Sequence, residues 1–194
     1  MKIFRPALVS TIGLLLFACP FTEYIVRLHD PLDAQEHTRL GAIYEKAGDL
    51  AQAEEEYLLA IRKDRGQALA WAGLGNIQMA EGRPGKAMRN YRRALKLNSD
   101  SPDILNNLAA ASLAAGRLEP AEEAVDRAIS LGGENLHYYL DTRARIRLAR
   151  QDYGGACADF CRALEISPPE DEAFRKELAL EIEQTGGSCS EDGQ

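Results

Sequence analysis

Histidine is scarce in this sequence: the three residues, His29, His37 and His137, do not stand at metal-ligand spacing from one another. No G-x-S-x-G elbow or phosphate-cradling glycine loop is present, and no nucleophile is paired with a base, so the sequence argues against an enzyme, a metal site or a bound cofactor. Runs of alternating β-branched residues are missing while Ala and Leu are abundant, which points to an all-helical chain. Basic charge is in deficit as well. There are 23 Lys and Arg against 30 Asp and Glu, a net charge of −7, and the cations look scattered among carboxylates, which argues against nucleic acid as a partner. What is present is a hydrophobic fraction of 45% in 194 residues. That is enough for one compact domain or a short solenoid.

The N-terminus carries an address. Lys2 and Arg5 precede an uncharged apolar run from Ala7 to Ala18, shorter than the roughly 20 residues a membrane-spanning helix needs and suited to the apolar region of a secretory signal. A simple signal-peptidase cut after Ala18 would leave Leu16 at a position that favours a small residue. The run Leu16-Phe17-Ala18-Cys19 instead resembles a bacterial lipobox, which implies lipidation at Cys19, such as by palmitate, and residues 1–18 removed as signal peptide. An uncleaved anchor and ordinary secretion are the alternatives. Cleavage removes two cations and no carboxylate, leaving 21 basic and 30 acidic residues. Residues 19–33 then read as a tether, and the expected location is the bacterial cell envelope with the folded part in the periplasm, on either membrane.

From residue 34 onward a ladder of small and large residues repeats. Gly41, Gly75, Ala109 and Ala144 form one rung series, and Ala53, Ala87, Ala121 and Ala156 another, both spaced by 34, 34 and 35. Tyr57, Tyr91, Val125 and Phe160 supply the large residue four positions on, and Ala60, Ala94, Ala128 and Ala163 the next small one. The turn residue is Gly48, Gly82 and Gly116 but Gln151 in the last unit, and the one-residue insertion falls in the Gly132-Gly133-Glu134-Asn135 loop. A period of about 34 with this small-large-small skeleton resembles the tetratricopeptide repeat family. The resemblance covers 34–169 and implies a right-handed α-solenoid of four helix-turn-helix units, 34–67, 68–101, 102–136 and 137–169. Arg143 and Arg147 occupy places the family usually gives to Leu and Tyr, so the first helix of the fourth unit is expected to be the loosest.

Local signals agree with that register. Asp33 to Glu36 and Asp49 to Gln52 have the spacing of capping boxes, and Ser101-Pro102 and Ser167-Pro168 look like N-caps followed by proline. Over 170–185, Phe174, Leu178 and Ile182 fall on one face and predict a closing helix that hides the last repeat, with 186–194 expected to be a disordered tail. Cys157 and Cys161 lie one turn apart, too strained a spacing for a bond within a helix, so a disulfide would join Cys189 to Cys157 or Cys161, with free thiols as the alternative.

The family resemblance also implies a concave groove lined by the first helices. Carrying its ligand-facing places onto this sequence selects Arg39, Asn76, Met79, Asp103, Asn106, Asn107, Tyr138, Asp141 and Arg145. Amides at Asn76 and Asn107 donate and accept at once and so suit the backbone of an extended peptide, while a solvated polar face is the plainer reading. The lysines of the chaperone-peptide clamp are absent, with Thr38 and Ala42 in their region. The implied function is a lipid-anchored, non-catalytic adaptor binding a peptide segment of another envelope protein. Self-association into a homo-oligomeric spacer is the alternative.

Overall fold

The computed structural model describes residues 30–186, and among them every regular element is an α-helix. The calls on the signal peptide, on Cys19, on Cys189 and on the tail beyond Gly186 lie outside the described residues. The solenoid runs α1 Ala34–Ala47, α2 Leu50–Lys63, α3 Ala68–Ala80, α4 Pro84–Leu97, α5 Pro102–Ala114, α6 Leu118–Leu131, α7 Leu136–Ala149, α8 Tyr153–Ile166 and α9 Glu172–Gln184. No helix among the described residues is long and apolar enough to cross a membrane.

Each odd-numbered helix from α1 to α7 packs against the even helix that follows it, and the stack grows by packing that second helix onto the next unit. The first helices α1, α3, α5 and α7 also touch their successors, whereas the second helices have no comparable contact with one another. First helices therefore form the tighter inner layer and second helices the splayed outer one. The core is accordingly divided among the joints. One cluster joins Ala53, Tyr57, Ala60 and Ile61 of α2 to Ala70, Leu74 and Ile77 of α3. The next joins Met88, Tyr91 and Ala94 of α4 to Ile104 and Ala111 of α5. At the far end Leu140, Ala156 and Phe160 meet Leu178 and Ile182 of α9, so the closing helix covers the face that would otherwise be wet.

The small residues of the ladder have a geometric cause. A Cβ on Gly41 would stand 2.7 Å from Cδ1 and Cε1 of Tyr57, and Cβ atoms on Gly73 or Gly75 would collide with the rings of Tyr57 and Tyr91. Where the second helix offers Val125 in place of a tyrosine, the first helix can carry Ala109. Trp71 is half-buried between two clusters, donates its indole N–H to Arg65 O at 3.1 Å, and reads as packing.

The helix ends follow the sequence signals in part. Asp33 and Glu36 form a reciprocal capping box, with Glu36 N donating to Asp33 Oδ1 at 2.8 Å and Asp33 N to Glu36 Oε2 at 2.7 Å. Asp49 receives Gln52 N at 3.2 Å, whereas Ser101 makes no side-chain cap bond. Ser167 is not an N-cap: it closes α8, and Asp171 caps α9 by accepting from Phe174 N at 3.3 Å. The hydroxyl of Ser167 instead donates to Leu164 O and accepts from Arg175 Nη1 at 2.6 Å. The arginines of the fourth unit likewise do not leave α7 loose. Arg143 grips Asp159 of α8 through Nε at 2.8 Å and Nη2 at 2.7 Å, and Arg147 Nη1 reaches the same carboxylate at 2.8 Å. An ion cluster replaces the apolar interlock.

Two tests follow from these ends and joints. Gln151 adopts φ 66°, the left-handed conformation of Gly48, Gly82 and Gly116, which costs a side-chain-bearing residue about 1 kcal/mol; Gln151→Gly is expected to raise the melting temperature in calorimetry, and a lowered one counts against the strain. Asp159 is 4% exposed, and Asp159→Ala removes the carboxylate that two guanidinium groups share, leaving Arg143 with Asp126 at 3.2 Å and Arg147 with Gly155 O at 2.9 Å; it should destabilise by about 2 kcal/mol in urea titration. The triple change Asp159→Ala, Arg143→Leu, Arg147→Tyr should recover most of that loss, because an apolar joint of similar volume replaces the pair without desolvating charge.

Candidate functional site

The inner layer is concave, and two adjoining hollows occupy it. The first, of about 350 Å³, lies across α1, α3 and α5 and is lined by Arg39, Ala42, Glu45, Asn76, Asp103 and Asn107, among others. The second, of about 380 Å³, lies between α5 and α7 and is lined by Asp103, Asn106, Asn107, Asn135, Tyr138, Tyr139, Asp141 and Thr142. Asp103 and Asn107 belong to both, so the hollows form one trough.

A polar ladder runs along its floor. Glu45 of α1 accepts from Tyr57 Oη at 2.6 Å through Oε2 and from Asn76 Nδ2 at 2.8 Å through Oε1. Asn76 Oδ1 in turn accepts from Tyr91 Oη at 2.8 Å and from Asn107 Nδ2 at 3.2 Å. Both lone pairs of the Asn76 oxygen are thus used, and one N–H. Asn76 is a hub with a single N–H to spare, and the amide left for a ligand belongs to Asn107, which keeps its oxygen and one N–H. Beside it, Asn106 Oδ1 is buried with no hydrogen-bond partner. An acceptor left so costs about 1–3 kcal/mol and calls for a donor.

Further along, Asp103 Oδ1 accepts from Tyr139 Oη at 2.5 Å and from Asn135 Nδ2 at 2.9 Å. Tyr138 reaches the closing helix, giving its hydroxyl to Asp171 Oδ2 at 2.7 Å and setting its ring edge-on to Phe174 at 4.8 Å. Burial raises the tyrosine pKa at Tyr57, Tyr91 and Tyr139, reinforced by Glu45 for the first two and Asp103 for the third. These phenols stay protonated and act as fixed donors. Burial also raises the Asp141 pKa, and Arg145 pulls it back.

The nine residues named from the sequence therefore divide. Arg39, Asn76, Asp103, Asn106, Asn107, Tyr138 and Asp141 line the trough. Met79 is half-buried against the core cluster that joins α4 to α5. Arg145 is spent: its guanidinium meets Asp141 at 3.0 Å and Glu177 and Glu181 of α9 at 2.7 and 3.2 Å. The trough consequently carries carboxylates of Glu45, Asp103 and Asp141 with Arg39 as the cation at one end. Glu45, Tyr57, Asn135 and Tyr139 were missing from the sequence selection. Glu45 stands at the twelfth place of the first helix, one of the ligand-facing places, so the register had the signal; Tyr57 comes from a second helix, Asn135 from the loop before α7, and Tyr139 from the first helix α7 at a place the register does not count. Of the two cysteines on α8, Cys157 is a free thiol and Cys161 is disulfide-bonded.

Comparison with known proteins bears on this geometry. Two tetratricopeptide repeat family models match the sequence, over residues 78–146 and 37–65. No curated protein matches the chain. Among solved structures, the PilF protein of Pseudomonas aeruginosa is similar at 21% identity, with 80% of this chain and 77% of that one covered and a TM-score of 0.65. PilW, described as a widely conserved type IV pilus biogenesis factor, is similar at 18% identity over 79% of this chain and 77% of that one, with a TM-score of 0.66. A third is the first repeat domain of Spaghetti (RPAP3) bound to the HSP90 peptide SRMEEVD, at 22% identity over 62% of this chain and 94% of that one, with a TM-score of 0.53.

Because Glu45 satisfies two buried donors, Glu45→Ala is expected to cost about 2 kcal/mol of stability. The same change frees Asn76 to turn, so the amide resonances of Asn76 and Asn107 should both shift in an NMR spectrum. A spectrum in which only Asn76 moves would count against a connected ladder.

Proposed function

We infer, for a chain that belongs to the tetratricopeptide repeat family, that it is a non-catalytic adaptor tethered in the bacterial cell envelope through Cys19. It holds an extended peptide segment of another envelope protein in the trough. The observation that carries this reading is the buried, unpartnered Asn106 Oδ1 beside the half-free amide of Asn107. An extended peptide offers a backbone N–H and C=O at each residue, and the unspent oxygen and N–H of Asn107 match that pattern irrespective of side chains, with the unfilled Asn106 acceptor beside them.

Side-chain preference comes from the carboxylates. Asp141 is already paired with Arg145, so Asp103 is the carboxylate of the second hollow open to a cation, with none among the lining residues; a Lys or Arg of the bound segment fits there and an acidic one is repelled. This differs from the acidic peptide SRMEEVD held by the Spaghetti repeat domain. The likeness in fold to PilW, a type IV pilus biogenesis factor, supports a place among such assembly factors, and the lipobox-like run before Cys19 supports the tether.

Asn106→Ala with Asn107→Ala is expected to weaken capture of the partner at least tenfold, since each truncation removes a hydrogen bond worth about 1 kcal/mol from a desolvated contact. Crosslinking in the native envelope followed by mass spectrometry reads both the partner and the loss, with circular dichroism to verify folding. Undiminished crosslinks to a different protein would move the site out of the trough. Crosslinks solely between copies of this chain would favour the self-associating spacer.

A further inference from the structure

The even scatter of charge expected from composition does not hold along the chain. Between Arg62 and Lys96 there are nine Lys and Arg and two Asp and Glu, whereas the remaining residues hold 14 and 28. An acidic protein thus carries one concentrated basic segment, and the fold spreads it over a surface. Lys86, Arg89, Arg92, Arg93 and Lys96 all lie on α4 and all are exposed. That helix contains no carboxylate, and among the described residues none of the five has a carboxylate within ion-pair distance. Arg83 at its N-cap is paired with Glu81. The exposed Arg62 and Arg65, near the junction of α2 and α3, extend the basic character.

The α4 surface belongs to the outer layer, across the inner helices from the trough. From Lys86 to Lys96 the cations cover about 15 Å of helix rise. At the N-terminal end lies a hollow of about 250 Å³ lined by Gln78, Arg83, Lys86, Arg89 and Asn90, with Glu54 on its wall. At the C-terminal end Leu97 is 47% exposed. Uncompensated like charges crowded on one helix repel one another and are stabilised by an external anion.

We propose that the outer face of α4 docks on an anionic phospholipid bilayer, leaving the trough turned away from the lipid and open to its peptide. A bilayer is favoured over other polyanions by what the face lacks. Binding of single-stranded nucleic acid without sequence preference relies on aromatic platforms. Trp71, the aromatic beside this face, has its ring covered by Arg93 at 4.5 Å and its N–H committed to Arg65 O. A peptide would need a groove with apolar anchors, whereas the hollow on this face is lined mainly by polar and charged side chains and the face is apolar mainly at Leu97. A row of cations with one apolar edge is what an anionic headgroup layer accommodates. The inference rests on the tethered reading only in taking a bilayer to be within reach, and it concerns the face opposite the peptide site.

The test uses the full chain with vesicles of phosphatidylcholine, with and without phosphatidylglycerol, in a co-sedimentation assay. The N-terminal apolar run contributes to both vesicle types, so the ratio of the two partition coefficients isolates the charge term. Each cation close to an anionic surface is worth roughly a fivefold change in partitioning. Arg89→Gln, Arg92→Gln and Lys96→Gln together should therefore lower the ratio about a hundredfold, and high salt should lower the wild-type ratio likewise. A variant with Arg117→Gln, Arg162→Gln and Lys176→Gln has the same net charge and should keep the wild-type ratio. Equal loss in both variants would assign the effect to net charge and overturn the proposal, as would a ratio unmoved by the α4 changes. Retention of duplex DNA or polyglutamate by the wild type with no preference for the anionic vesicles would overturn it too, giving the face to another class of partner. Substitution of Asn106 and Asn107 should leave the ratio unchanged, so the docking face and the peptide trough can fail independently.

Discussion

Two phenol rings hold the inner layer of the first two units in register. Tyr57 stands in the space that side chains at Gly41 and Gly73 would fill, and Tyr91 does the same at Gly75. The rings therefore act as spacers between helices and set how closely α1, α3 and their partners approach. Each is 3% exposed or less, and a buried hydroxyl has to be bonded. Tyr57 delivers its hydroxyl to Glu45 and Tyr91 to Asn76, so the same residues that pack the repeat also fix the polar floor of the trough. Packing and site are coupled at two side chains.

That coupling changes what the asparagines mean. An amide at a ligand-facing place looks available when only its position is known. Asn76 has given its oxygen to Tyr91 and Asn107 and one N–H to Glu45, and its rigidity is its contribution: it aims Asn107. Rigid placement matters because an amide that must be ordered on binding loses side-chain entropy that a pre-aimed one has already lost on folding. The trough is thus most rigid where α1, α3 and α5 meet, and its unmet hydrogen-bonding capacity sits at Asn106 and Asn107.

The fold was legible because its determinants are periodic. Gly41 and Gly75, or Ala53 and Ala87, signal close approach by residue size and spacing alone, and the steric cause is the ring each accommodates. The site was legible in position and less so in chemistry. Arg145 looked like an inward cation; its partners Glu177 and Glu181 lie more than thirty residues downstream, and no local pattern announces a pair closed by a helix from outside the repeat. Ser167-Pro168 misled for a related reason. A serine before a proline marks helix entry by local geometry, but Ser167 accepts from Arg175 and ends α8, while Asp171 performs the cap. The fourth unit's arginines show that a departure from a pattern need not loosen a joint when an acid arrives with it: Asp159 occupies the second helix where it can take both guanidinium groups.

Charge was misread through averaging. A net charge of −7 describes the force on a distant ion, but at separations beyond about 8–10 Å exposed charges are screened at physiological salt. A surface is consequently felt by whatever approaches it closely, and the chain total matters little there. On that length scale the molecule has two characters. The trough presents Asp103, with Asp141 paired to Arg145, and the α4 face presents five cations with no carboxylate on the helix itself and Glu54 at one end. The polarity is local to α4: its neighbours in the outer layer, α2 and α6, carry Glu54, Glu55 and Glu56 and Glu119, Glu122, Glu123 and Asp126, so the basic face is a strip between acidic flanks. An anionic surface then attracts the α4 strip and repels the carboxylates on either side of it, so binding and orientation become a single event. A peptide site on the inner layer gains from this arrangement without any contact of its own, because the orientation that satisfies the outer cations is also the one that leaves the trough unobstructed.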